Sequence, residues 1–321
     1  MDQSGNNIRV MHLISADFLL VAQDCIAESQ NDIRVVKEMS GYVELIRDTI
    51  NNSDTEKFFE SFGSLNKKGL KYHHLYAFAY DLEIGTTMND IKKRKYFQFF
   101  GNSTEYFTFK NELEKLLSNK KYVQLFKDYR NELITERETI GTMLRDSNAI
   151  GSFERYFEED IQEFTIIYSP ALEGGFGLKL QEGEQENYVV VLNTNSELGT
   201  RKHVWHELGH CFFDSKNMRN EGLFLAFEDF MTLRDKGMKS SGLYNSKAML
   251  NEYVVRSASL YIIRSEISQN EFNKQLIDDR LMGFEEIGIF VDALDNLSGS
   301  KFDYRGLSDS IIHNMLGEIY E

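Results

Sequence analysis

The sequence predicts an α+β fold that is mostly helical, with one small mixed sheet near the middle of the chain. Only one proline occurs among the 321 residues, so few helices are interrupted. Charged and apolar residues alternate at helical spacing over the first 150 residues. Between residues 163 and 192, β-branched and aromatic residues are concentrated as they are in strands.

Residues 1–150 are predicted to form a helical amino-terminal region. Apolar residues at helical spacing indicate helices at 31–51, 55–62, 105–117 and 121–145. The one basic cluster, residues 92–95, is interpreted as the solvated face of a helix.

Residues 151–321 are predicted to form a second domain that begins with the sheet. Strands are expected at 163–168, 176–180 and 188–192. A polar turn follows the last strand, and Thr200 offers a capping hydroxyl for a helix that starts at Arg201.

That helix carries the segment HELGH at residues 206–210. Two histidines four residues apart lie on one helix face, so His206 and His210 can reach a single metal ion. Glu207 can reach a water molecule bound to that metal without being a ligand itself. The segment therefore predicts a catalytic metal site.

The neighbouring residues predict how this helix packs. Trp205, Leu208 and Phe212 fall on the opposite face and are expected in the core. Gly209 costs about 1 kcal/mol relative to alanine in a helix, which suggests that another backbone packs closely there. His203 lies about 10 Å along the axis from His210, too far to share one ion; it either lines the cleft or is a partly exposed first-turn histidine.

A catalytic zinc ion needs a third protein ligand. The extended metzincin pattern requires glycine at 213 and histidine at 216, where this chain has phenylalanine and lysine, so that class is excluded. Glu252 is favoured because it opens an apolar stretch that resembles a buried helix, where a carboxylate needs a partner. The alternatives are the other acids downstream of the motif: Glu221, Glu228 and Asp229.

The segments HELGH and NEYVVR, the latter at 251–256, resemble the gluzincin class of zinc peptidases. They are also similar to an uncharacterised bacterial family that carries the same two motifs. The resemblance spans roughly residues 150–321. It implies a zincin-like catalytic domain and a Zn²⁺ cofactor, with His206, His210 and Glu252 as ligands and Glu207 as general base.

The chain departs from the thermolysin-like pattern at Arg256. That class has an aspartate at this position, which orients a zinc-binding histidine. Either another acid orients His206 here or the geometry differs. The spacing from the motif to Glu252 is also longer, which leaves room for an inserted loop at 236–246 that could overhang the cleft.

By the same resemblance, the substrate is expected to lie along a sheet edge as an added strand. Gly175, Phe176 and Gly177 are the predicted substrate-binding residues, although these glycines also fit an ordinary hairpin turn. His313 is a candidate donor to the oxyanion, although a structural role also fits this histidine. The alternative donors are the tyrosines downstream of the motif: Tyr244, Tyr253, Tyr261 and Tyr304.

Composition and charge limit the kinds of partner and the location that the sequence predicts. The net charge of −15 excludes nucleic acid as the expected partner, and no apolar stretch reaches the length of a membrane span. Residues 10–22 are apolar but contain Asp17, so they make a poor export signal. A cytoplasmic location is predicted, or secretion if a signal was trimmed. The oligomeric state is left open.

The predicted function is zinc-dependent hydrolysis of peptide bonds in a peptide or protein substrate. The alternative is a zinc-binding regulatory or interaction protein whose protease-like site is vestigial or serves a single substrate.

Overall fold

The computed structural model describes residues 7–26, 35, 41–51, 56–157, 161–182, 185–193, 196–233, 246–297 and 301–320. This part of the chain is mostly helical, with one four-stranded mixed sheet, as the sequence predicts. It divides into two compact units. The sheet unit comprises the described residues within Asn7–Met143 and Glu163–Glu197, and the helical unit those within Leu144–Gln162 and Leu198–Glu321.

The sheet unit contains four strands: β1 (Asn7–Met11), β2 (Glu163–Tyr168), β3 (Gly175–Glu182) and β4 (Gln185–Leu192). Their order is β1-β2-β4-β3, in which β1 and β4 run parallel to β2 and β3 runs antiparallel to β4. The three predicted strands are confirmed, and β1 is a strand that the sequence analysis missed. As predicted, the segment that contains Gly175, Phe176 and Gly177 forms the edge of the sheet.

Seven helices accompany the sheet: α1 (Ile14–Ile26), α2 (Gly41–Asn51), α3 (Glu56–Lys67), α4 (Tyr72–Ile84), α5 (Met88–Ile91), α6 (Ser103–Leu117) and most of α7 (Lys120–Asp146). The predicted helices at 105–117 and 121–145 are confirmed, and the one at 55–62 continues to Lys67. The prediction at 31–51 is correct from Gly41 onward and wrong at Val35, which bridges Leu172 as an extended residue.

Residues 10–22 belong to the core of the sheet unit. They form the end of β1 and most of α1, and the acid among them, Asp17, is fully buried. Its Oδ2 accepts from His12 at 2.7 Å and from Tyr42 at 3.1 Å, and its Oδ1 accepts from Tyr76 at 3.3 Å and from Ser169. Four donors offset the cost of burying this carboxylate.

The basic cluster at 92–95 is not wholly a solvated face, so that interpretation is wrong at Arg94. This side chain is buried and donates to both oxygens of buried Asp81, at 2.9 and 2.8 Å. It also donates to the carbonyl oxygen of Gln181 on β3, at 2.7 Å, while Tyr96 donates to Asp81 at 2.8 Å. Arg94 therefore links Asp81 on α4 to the edge strand β3.

Replacing Arg94 with methionine should lower the free energy of unfolding by about 3–5 kcal/mol, because the substitution leaves a buried carboxylate without its cation. Urea denaturation measures this change. Lys93→Met is the matched control: Lys93 is exposed and pairs with Asp90 at the surface, so we expect an effect within about 0.5 kcal/mol. Equal effects of the two substitutions would show that the Arg94 pair does not hold the unit together.

The helical unit contains seven helices: α8 (Ala149–Tyr156), α9 (Glu197–Asn217), α10 (Glu221–Leu233), α11 (Ser246–Glu266), α12 (Gln269–Leu281), α13 (Ile287–Asp295) and α14 (Tyr304–Tyr320). Helix α11 is central, since it packs against α8, α10, α12 and α13. From residue 249 to 263 all its side chains are buried except that of Arg256, which is half-buried. The sequence therefore predicts correctly that this stretch is a buried helix.

Helix α9 begins earlier than predicted. It starts at Glu197, so Thr200 is buried inside the first turn and is not the residue that caps the helix. An acidic residue in the first turn is favourable next to the helix dipole. Trp205, Leu208 and Phe212 are buried as predicted, and the indole of Trp205 donates to the carbonyl oxygen of Ala149 at 2.8 Å.

Three further predictions concern the inserted loop, the domain bounds and the membrane-spanning segments. The loop at 236–246 lies almost entirely outside the described residues. The functional division of the chain into domains 1–150 and 151–321 stays a prediction. None of the helices in the described part of the chain combines the length and the hydropathy that a membrane-spanning segment requires.

Candidate metal centre

Helix α9 brings the two motif histidines together. The Nε2 atoms of His206 and His210 lie 3.2 Å apart, one turn from each other on the same face. Two atoms that bind one zinc ion at about 2.0–2.1 Å in tetrahedral geometry lie about 3.3–3.4 Å apart. The observed separation therefore suits a shared ion.

Helix α11 places a carboxylate beside the Nε2 atoms of the two histidines. Oε1 of Glu252 lies 3.4 Å from Nε2 of His210, and its Oε2 lies 3.7 Å from Nε2 of His206. The three residues each offer a ligand atom within 4.8 Å of the others, and the described part of the chain holds no second such group of three. The group does not include the other acids weighed from the sequence: Glu221, Glu228 and Asp229.

Close packing of α9 on α11 sets the position of Glu252. A Cβ atom at Gly209 would lie 2.9 Å from Cγ1 of Val255, which is closer than carbon atoms normally approach. The sequence predicts a close neighbour at Gly209, but the neighbour is a side chain and not a backbone. Val255 lies three residues after Glu252, so the two helices approach closely near the third ligand.

Gly209→Ala should therefore destabilise the protein by about 1–3 kcal/mol, because the clash with Val255 outweighs the helix propensity of alanine. Zinc affinity should fall with it, since α11 must move away. Chemical denaturation and a zinc competition assay measure the two effects. The double variant Gly209→Ala with Val255→Ala removes the clash and should recover the metal affinity. A stability gain in the single variant would mean that the two helices are not in tight contact.

Glu207 lies beside the ligands without joining them. It is on α9 between the two histidines in sequence, and its side chain is buried. Its negative charge is close enough to contribute to the raised pKa of His210. The role of Glu207 as a general base stays a prediction.

Burial and mutual charge set the protonation of the ligands. Burial, followed by the charge of His210, holds the pKa of His206 well below its usual value. Burial alone would raise the pKa of Glu252, but contact with His210 and the charges nearby lower it to about 2. Burial would lower the pKa of His210, but hydrogen bonds to Asp214 and Glu252 raise it to about 10. The low pKa of Glu252 keeps this carboxylate anionic beside the two imidazoles. The raised pKa of His210 means that a metal ion must displace a proton from this ring in order to bind.

Asp214 orients one of the histidines, and the sequence analysis missed it. Its Oδ1 lies 3.0 Å from Nδ1 of His210, which leaves Nε2 of that ring for the ligand group. Such carboxylate partners fix the ring orientation of metal-binding histidines. The i, i+4 spacing from His210 on the same helix was the available signal. This contact is made to His210, so the expectation that another acid orients His206 stays a prediction.

Two other predicted residues lie in the helical unit but outside the ligand group. His203 is half-buried on α9, and its Nδ1 donates to the carbonyl oxygen of Gly199 at 3.1 Å. His313 is exposed on α14. Its role as a donor to the oxyanion stays a prediction.

The predicted substrate-binding residues lie in the sheet unit. Phe176 is buried, and its ring packs against those of Tyr72 and Tyr76 at 5.1 and 5.3 Å. Its side chain is thus part of the core of that unit. Gly175 and Gly177 on either side are half-buried. The contact of this strand with a substrate stays a prediction.

Comparisons of the chain with protein-family models, with curated proteins and with solved structures find no match.

Proposed function

We propose that this protein is a zinc-dependent metallopeptidase of the gluzincin type. The observation that carries the proposal is the convergence of His206, His210 and Glu252, from two helices, with the buried carboxylate of Glu207 beside them. Two imidazoles and one carboxylate are the ligand set of several zinc peptidases, in which the fourth position stays open to water.

The chemistry of the donors supports zinc as the ion. Imidazole nitrogen suits zinc and other late transition metals, whereas calcium and magnesium prefer oxygen ligands alone. The separations of 3.2 Å between the two histidines and 3.4 Å between His210 and Glu252 suit a tetrahedral ion. The proposed zincin-like fold follows from this ligand set and from the motif resemblance.

Different residues of the chain have different roles in the proposed peptide hydrolysis. When bound, zinc polarises the scissile carbonyl and lowers the pKa of its water. Glu207 accepts the proton from the attacking water and passes it to the leaving amine. Asp214 holds the ring of His210 in place. The proposal also includes β3 as the strand that binds the substrate backbone and His313 as a donor to the developing oxyanion.

Incubation of the zinc-loaded protein with a diverse peptide library tests the proposal. A metallopeptidase should cleave some unrelated sequences, and a chelator should abolish the cleavage. A protein that binds zinc but cleaves nothing in the library would contradict the proposal. That result would favour the alternative, a regulatory or interaction protein with a vestigial or single-substrate site.

A further inference from the structure

The carboxylate of Glu252 has a second, basic neighbour. Nε of Arg256, one turn further along α11, lies 3.0 Å from Oε2 of Glu252. The carboxylate also faces the histidines: Oε1 lies 3.4 Å from Nε2 of His210, a separation that fits two ligands of one ion, and Oε2 lies 3.7 Å from Nε2 of His206. Both oxygens of Glu252 therefore face an imidazole, and Oε2, the one farther from its imidazole, is in addition bound to a guanidinium.

Arg256 is itself held in place from α12. Its Nη1 donates to Oδ1 of Asp279 at 2.7 Å, and its guanidinium lies 4.4 Å from the centre of the Phe284 ring. Asp279 is almost fully buried and also accepts from Gln275 at 3.2 Å. A guanidinium that bridges two carboxylates and stacks on a ring has little freedom to turn away from Glu252.

We propose that Arg256, fixed by Asp279, is a positioning residue that retains Oε2 of Glu252 and so restricts this carboxylate to one metal-binding oxygen, Oε1. The inference rests on the proposed metal centre and deepens it. A carboxylate can bind a metal through one oxygen or through both. Because Arg256 holds Oε2, Glu252 would offer one oxygen to a bound metal ion. The coordination position that a second oxygen would take would remain available to water.

The role differs from that of Asp214. Asp214 accepts a hydrogen bond from the ring of His210 and makes this histidine a stronger metal ligand, whereas Arg256 donates a hydrogen bond to Glu252 and holds one of its two oxygens. Loss of Arg256 is therefore expected to change how the ion is coordinated more than whether it is bound.

X-ray absorption of the zinc-loaded protein tests the proposal. Wild-type protein should show a four-coordinate ion with one carboxylate oxygen. Arg256→Met frees Oε2, so the number of oxygen neighbours should rise by one and the mean zinc–oxygen distance should lengthen. Zinc affinity should change by less than roughly tenfold, while peptide cleavage falls by roughly 10–100-fold, the range typical of residues that support a metal ligand. Arg256→Lys keeps a donor for Oε2 and should retain the wild-type coordination.

Arg264→Met is the matched control. Arg264 lies two turns further along α11, donates to Asp295 of α13 at 2.9 Å, and lies over the ring of Phe272 at 5.2 Å. Like Arg256, it pairs with a carboxylate on a neighbouring helix and lies over an aromatic ring, but its pairing partner is Asp295 and not Glu252. Its removal should therefore leave the zinc coordination and the zinc affinity unchanged, even if the protein loses stability.

The outcomes separate this inference from the proposed function. Unchanged zinc coordination in Arg256→Met would overturn the inference, and so would two equivalent Glu252 oxygens on zinc in the wild-type protein. The second result decides the matter even if the variant fails to fold. A wild-type protein that binds no zinc overturns both proposals. If the coordination changes as expected but no peptide is cleaved, the inference stands and the peptidase function fails.

Discussion

Glu207→Gln should leave zinc bound and reduce peptide hydrolysis by about 10²–10⁴-fold, the usual contribution of a positioned general base. Glutamine has the same shape as glutamate, but its amide cannot take the proton from the attacking water. Glu207 does not belong to the ligand group, so the substitution removes no metal ligand. The expected result is thus a folded, metal-loaded and inactive protein.

The measurement pairs zinc content with the rate of cleavage of a library-selected peptide. Glu197→Gln is the control, because it makes the same chemical change on the same helix at an exposed position in the first turn. That control should cleave at the wild-type rate. Retention of cleavage by Glu207→Gln would show that a different group acts as the base.

Glu252→Ala should remove most of the stabilisation that zinc gives to the folded protein. A ligand present at 1,000 times its dissociation constant stabilises the native state by about 4.1 kcal/mol. Wild-type protein should therefore melt several degrees higher with zinc than with a chelator. The variant keeps only two imidazoles, which weakens binding and reduces this difference in melting temperature.

Calorimetry with and without zinc measures the effect. Asp229→Ala is a suitable control, since Asp229 lies exposed on α10 and outside the ligand group. It should keep the full zinc-dependent shift in melting temperature. A shift that survives in Glu252→Ala but disappears in Asp229→Ala would mean that the third ligand is wrongly assigned.

The amphipathic helices α6 and α7 could be predicted from the sequence, and the buried helices α1 and α4 could not. Helices α6 and α7 expose one face, so their apolar residues recur at helical spacing. In α1 and α4, by contrast, runs of consecutive residues are buried, from Ala16 to Gln23 and from Leu75 to Asp81. A helix that is buried on most sides loses the alternation that marks it, and so both were missed.

The ligand group could be predicted because two of its members are fixed by local helical spacing. The third, Glu252, is an acid within an otherwise apolar helix, which is a signal readable without coordinates. The contact between Arg256 and Asp279 joins α11 to α12 across 23 residues of sequence. No local pattern indicates which of the many acids of the chain pairs with that arginine, so only the three-dimensional structure supplies this partner.

The most direct test of the metal centre is the metal content of the protein purified without added zinc, measured by elemental analysis beside the His210→Ala and Glu252→Ala variants. The proposal predicts about one zinc ion per wild-type chain and a large loss in both variants, since each removes one of the three converging residues. A wild-type protein free of divalent metal, or the same metal content in all three proteins, would contradict the proposed centre and the chemistry derived from it.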